Sequence, residues 1–367
     1  MSAAPRRLYS YVFPALGIGL AAILMMQPAL APGRVGELPA FMGFLATVLL
    51  CGSAFATIFH SDLVAERVGQ PLGTLVLTLS VTLIEVAVIA SMMMHKEDNP
   101  TLAREAVFSV IMIVNTGIIG LCLLLGSLRH REQTIRQQGI SGFLSVMIAL
   151  AVLLLVLPSV TRTSSVSGAF STFQLVVMTL VAVALYGAFL YMQTVRHRDH
   201  YDAEETGSAH ARPDGSAALL ALGMLVLSLV AVVALAKHVA ASVETVTAQL
   251  SLPNPDAVAG ALLAALVLMP EGIAAVRAAA RNHLQFSLNI ALGSVLATIA
   301  LTIPVMAVIS VWLGLPMVLG LEAEERTLML LTFGVAILSF GTGRTNALNG
   351  IVLLIIFAVY VMLLFEP

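Results

Sequence analysis

Long apolar runs separated by short polar breaks organise this chain. A membrane-spanning helix needs about 20 mostly apolar residues. Eleven stretches of that kind occur, near residues 11–31, 39–59, 71–94, 105–127, 141–160, 170–193, 217–241, 256–277, 285–311, 327–341 and 346–365. The strands of a membrane barrel would be about half as long and would alternate in polarity, so the pattern predicts an all-α integral membrane protein with about eleven spans. The first run follows Arg6 and Arg7 and ends at Ala29-Leu30-Ala31, which mimics a secretory leader. Its length predicts a retained first helix instead. The clearly hydrophilic stretch, from Val195 to Ser216, reads as a linker. The expected organisation is therefore an extra N-terminal helix (1–38), five helices (39–193), a cytoplasmic linker (194–216) and five more helices (217–367).

Composition agrees and excludes other classes. The chain is 59% hydrophobic and 10% charged, with a mean hydropathy of +1.00, whereas soluble domains carry about a quarter charged residues. The net charge of −2 and the lack of a basic cluster give no footprint for nucleic acid. Cys51 and Cys122 both sit in apolar runs and suggest small core residues, not a disulfide framework. With the N-terminus placed in the cytoplasm, twelve of the 18 Lys and Arg residues fall on the inner side. The positive-inside rule favours that orientation and puts the C-terminus outside.

A weak internal duplication follows the first helix. Glu85 and Glu271 lie 186 residues apart, each late in an apolar run. Phe108-Ser109 recurs as Phe286-Ser287, 178 residues on, and the Arg162–Gly168 segment recurs as Arg344–Gly350, 182 residues on. Three anchors in order at nearly constant offset predict two five-helix repeats. An odd helix number forces the second repeat to run inverted. Inverted repeats place a substrate site near the bilayer midplane, where the halves meet.

The two glutamates are the candidate site. An ionised carboxylate at bilayer depth costs several kcal/mol unless paired or hydrated, so such residues mark ion or proton pathways. Thr78, Thr82 and Glu85 share one helical face, offering hydroxyl oxygens beside a carboxylate. Around Glu271 that face is apolar, but Pro270 precedes it and frees a main-chain carbonyl. In the helices that follow, Ser109, Thr116 and Gly120 match Ser287, Ser294 and Thr298, giving each half a small, polar stripe. Small residues of this kind also serve close helix packing. Asn115 and Asn289 are further candidate oxygen donors. The metal-binding expectation rests on Glu85 and Glu271, with no catalytic residues and no cofactor beyond the transported ions.

Two short segments, Ser61–Arg67 and Ser242–Val246, begin with good N-cap residues and predict interfacial helices at the mouths of a pathway, where Glu66 and Glu244 could collect cations. In the linker, His197, His200 and His210 stand among Asp199, Asp202, Glu204 and Glu205. That composition fits a solvated connector, or an ion- or pH-sensing element.

These residues resemble a known family. Gly73-Thr74-Leu75 leading through Leu79-Ser80-Val81 to Glu85, then Pro270-Glu271-Gly272, the run from Gly293 to Val305 and the run from Gly343 to Gly350 look like the ChaA-type bacterial antiporters of the calcium/cation antiporter superfamily. Proton exchangers of the wider superfamily carry a Gly-Asn pair before each glutamate, where this chain has Val81-Thr82 and Val267-Leu268. The resemblance implies a secondary active antiporter in the bacterial inner membrane, not an enzyme. It would move Ca²⁺, Na⁺ or K⁺ against protons, with the ion held between Glu85 and Glu271. Its partners would be membrane lipid, inorganic cations and protons, with no oligomeric state specified. A passive cation channel is the alternative class, although rings of charge from several subunits would suit a channel better.

Overall fold

In the computed structural model the apolar runs form eleven long helices. They are α1 (Tyr9–Met26), α2 (Glu37–Val68), α3 (Leu72–His95), α4 (Leu102–His130), α5 (Gln137–Val160), α6 (Thr172–Arg196), α7 (Gly215–Gln249), α8 (Pro255–Ala280), α9 (Leu284–Leu313), α10 (Ala323–Phe340) and α11 (Ala347–Phe365). The structure describes residues 8–31, 37–69, 72–95, 100–161, 167–201, 215–250, 254–314 and 317–366. Among these, nine helices are long and apolar enough to cross a membrane. The other two are α3, apolar over Thr78–Ser91, and α10, which opens on charged residues. The architecture is all-α apart from a two-residue antiparallel ribbon, in which β1 (Gln133–Thr134) pairs with β2 (Arg344–Thr345). Part of one repeat anchor, residues 162–166, lies outside the described residues.

The chain divides into two compact units, and each draws on both halves of the sequence. One contains α1, α2, α3 and α7. There α1 packs against α2 and α7, and Gly17 is one point of close approach, since a Cβ would stand 3.2 Å from Leu235 Cδ1. Val64 of α2 packs with Ala221 and Leu225 of α7. His60, buried in α2, reaches the Ser10 carbonyl of α1 at 3.2 Å. The separate interfacial helices expected at Ser61 and Ser242 do not form. Both segments continue the long helices α2 and α7. No proline interrupts the run into either serine, and Ser61 turns its hydroxyl onto its own Ile58 carbonyl at 2.9 Å instead of capping a new helix.

The second unit contains α4 to α6 and α8 to α11, with α4 at its centre: every residue from Leu102 to Met112 is buried. Small residues set its crossings. Gly120 of α4 and Gly350 of α11 lie against each other, and a Cβ on Gly350 would stand 2.6 Å from the Leu124 backbone nitrogen. Asn346 caps α11 by accepting from the Leu348 and Asn349 amides at 3.0 and 3.3 Å. Among the described residues four π-helical turns interrupt the spans, at Ile113–Ile118, Val152–Val156, Met192–Arg196 and Thr298–Thr302. The second and fourth run into Pro158 and Pro304. A proline offers no N–H to the carbonyl one turn earlier and its ring crowds that carbonyl, which accounts for these two.

Because Gly350 meets backbone and not a flexible side chain, Gly350→Ala forces α4 and α11 apart. Overpacking of this kind costs about 1–3 kcal/mol. Thermal unfolding of the purified variant in detergent should show a clear drop in midpoint, and an unchanged midpoint would contradict the close crossing.

Candidate functional site

Glu271 stands near the middle of α8, which runs unbroken through Pro270. Its carboxylate accepts a hydrogen bond from the Ser294 hydroxyl of α9. The two line a cleft of about 170 Å³ with Val114 and Ile118 of α4 and Leu268 and Gly272 of α8, too narrow to admit a water molecule. Gly272 makes that cleft possible, because a Cβ there would stand 2.9 Å from Ile118 Cδ1. Ile118 closes the π-helical turn Ile113–Ile118, and single π turns of this kind recur at functional sites. Among the described residues of this unit the site is thus one carboxylate with one hydroxyl donor in an otherwise apolar seam. Such a group can carry a proton, or a cation completed by hydroxyl and main-chain oxygens, but a bare charge there is costly.

The other candidate residues are placed as follows. Glu85 is buried in α3. On the same face, Thr82 turns its hydroxyl onto the Thr78 carbonyl at 2.9 Å. Thr116 bonds the Met112 carbonyl. Asn115 donates to the Ile111 carbonyl at 2.9 Å and has Met147 Sδ at 3.6 Å, while its Oδ1 is buried without a hydrogen-bond partner among the described residues. Pro270, which precedes Glu271, is buried in α8. Ser294 is the supporting residue that the structure joins to a core glutamate, whereas Thr82, Thr116 and Asn115 give their donors to their own helices.

Asn289 serves a different contact. Its amide donates to the Tyr201 carbonyl at 2.6 Å, and its Oδ1 accepts from Gln285 at 2.9 Å. Tyr201 ends a single helical turn, Arg198–Tyr201, at the start of the linker. Its ring packs edge-on against Phe143 and Phe189, with centroids 5.5 and 5.8 Å away. Gly139 and Gly142 of α5 leave the room that the His200 carbonyl and the Tyr201 hydroxyl occupy. His197 and His200 stack with centroids 5.2 Å apart. The beginning of the linker is therefore a seated anchor on α5 and α9. His210, Asp202, Glu204 and Glu205 lie outside the described residues.

Sequence reasoning missed a second polar centre. Arg104, in the first turn of α4, bonds its neighbour Glu105 and donates to the Gly320 carbonyl at 2.9 Å. It also faces Glu322, which caps α10, at 3.5 Å and Glu325 of α10 at 3.9 Å.

Ser294→Ala leaves the Glu271 carboxylate without its hydroxyl donor. A hydrogen bond to a charged group contributes about 1.5–3 kcal/mol, so the half-saturating concentration of any cation held at Glu271 should rise roughly ten- to a hundredfold. Ser294→Thr, which keeps the hydroxyl, should stay near wild type. Equal behaviour of the two variants would remove the bond from the account.

Comparison with known proteins places this architecture. The family model described as sodium/calcium exchanger protein matches residues 38–195 and 220–366. The y4hA protein of Sinorhizobium fredii is 43% identical over 359 residues, covering 97% of this chain and 95% of that protein. The sodium-potassium/proton antiporter ChaA of Escherichia coli K12 is 37% identical over 330 residues, covering 88% of each. Among solved structures, native YfkE superposes with a TM-score of 0.74 at 16% identity, covering 98% of this chain and 100% of that one.

Proposed function

The chain belongs to the sodium/calcium exchanger protein family, and from that premise we propose that it is a cation/proton antiporter in which Glu271 and Glu85 exchange protons for the transported ion. The observation that carries the reading is the Glu271 site, a single carboxylate with one hydroxyl donor in a seam too narrow for water. A proton neutralises that carboxylate, and so does a cation. Holding both at once is disfavoured, because a bound cation pulls the carboxylate toward its ionised form. Loading the cation therefore expels the proton, and protonation releases the cation.

Glu85 joins the mechanism on the same cost argument, being a buried carboxylate at the matching place in the first half. The substrates proposed are Na⁺ and K⁺, with Ca²⁺ as the further candidate. The resemblance to ChaA, called a sodium-potassium/proton antiporter, supports the monovalent ions. So does the sequence ahead of each glutamate, Val81-Thr82 and Val267-Leu268, which offers no side-chain amide oxygen, since Ca²⁺ takes six to eight oxygen ligands. The protein works in the bacterial inner membrane with the N-terminus inside and the C-terminus outside, an orientation supported by the distribution of basic residues.

Purified protein in vesicles loaded with a pH dye tests the reading. Adding Na⁺, K⁺ or Ca²⁺ should drive proton movement, strongest at neutral to alkaline pH and fading in acid as protons hold the carboxylates. Glu271→Gln and Glu85→Gln keep shape and hydrogen bonding but cannot release a proton, so each should abolish exchange in folded protein. Cation flux without proton movement would make the protein a channel, and near-normal exchange by either variant would remove that residue.

A further inference from the structure

The cluster around Arg104 is unused by the exchange chemistry above. It sits where the first turn of α4 meets the amino end of α10. The opposite end of this unit carries β1 and β2. Arg104 and Glu105 are both buried, and the Glu325 side chain is 18% exposed, while that of Glu322 is 68% exposed and belongs to solvent. Among the described residues one guanidinium therefore faces two carboxylates largely shielded from water, one negative charge more than it offsets. Among the described residues, the elements packed around them add no second cation to the cluster. Arg326 of α10 turns to the Ser159 hydroxyl at 2.9 Å. Tyr360 of α11 donates to the Ser109 hydroxyl of α4 at 2.8 Å. The helix ends offer partial compensation, since Glu105 lies in the first turn of α4 and Glu325 completes a capping box with Glu322 on α10.

We propose that Arg104, Glu105 and Glu325 form a pH-operated latch between α4 and α10, closed when one proton is held between the buried Glu105 and the half-buried Glu325 and loosened when that proton leaves. Protonated, the buried set is neutral: one guanidinium, one carboxylate and one carboxylic acid. Deprotonated, it must keep an unpaired charge out of water or open to admit water. Glu325, in the turn ahead of the span that begins near Thr327, is the group that titrates. Burial and then the charge of Glu105 push it up to about 7, against the pull of Arg104. The sign follows from linkage. The packed form binds the proton more tightly than an opened form with an ordinary carboxyl near 4.5. The latch is thus fully engaged below that ordinary value and lost as pH rises through about 7.

This latch does not depend on the Glu271 exchange site, and its test needs no transport. Amide hydrogen exchange of residues 100–112 and 317–326, corrected for the intrinsic effect of pH, is measured on the intact chain in detergent. Protection in the wild type should fall by roughly one to two orders of magnitude between about pH 5.5 and pH 8.5, the part of the shift from 4.5 to about 7 that this window titrates. Glu325→Gln preserves the capping box, which accepts Gln as well as Glu, and should stay protected across the range. Glu105→Gln leaves Arg104 paired one-to-one with Glu325 and should also stay protected, so either folded variant decides the matter. A wild type whose protection ignores pH, or variants that loosen as the wild type does, would overturn the latch. Loss of exchange activity in the vesicle assay would leave this result standing, because the two readouts are separate.

Discussion

The difficulty of keeping a carboxylate out of water governs this protein. Glu271 lies in an apolar seam between three helices and has a serine hydroxyl as its visible partner. Charge in such a place is tolerated only with a counter-ion, a proton or a change of shape. Each of those three is a step of an exchange cycle. The same rule acts at Glu105 and Glu325, where a guanidinium offsets one carboxylate and not both.

Close helix packing is what keeps water from the Glu271 seam. Gly272 brings α8 against Ile118, and the crossing of Gly120 with Gly350 holds α11 on α4. Lipid gives helices no hydrophobic reason to associate, so small residues and interhelical polar contacts carry the association. That accounts for the role of Gly120, a member of the polar stripe that packs rather than binds. Prolines at Pro158 and Pro304 and the π turns ahead of them supply irregular backbone inside otherwise regular spans. Bulges of this kind recur at functional sites.

Much of the fold was legible because spans announce themselves by length. All eleven expected spans correspond to long helices, including the short tenth, which is α10. The interfacial helices were misread because a serine after an apolar turn looks like a cap, although nothing upstream breaks the helix. At the site, Glu271 and Ser294 were legible from charge at depth and from the matched stripe. Asn289 was legible only as an oxygen donor, and its use by Tyr201 depends on a contact 88 residues away in sequence. A spacing of Gly139 and Gly142 on one helical face was the available hint of that anchor. Arg104 and Glu105 stand at the start of an apolar run, where charged residues are ordinary. Their burial comes from the 317–326 segment folding over them, which no local pattern records.

The central claim is that a cation and a proton compete for Glu271, and calorimetry tests it without transport. Cation binding to purified protein is titrated in two buffers of different ionisation enthalpy, and the difference in heat counts protons released per cation bound. The account predicts release of at least one proton per cation in the wild type and a smaller number in Glu271→Gln. Cation binding that releases no proton, or releases as many from Glu271→Gln as from the wild type, would contradict it.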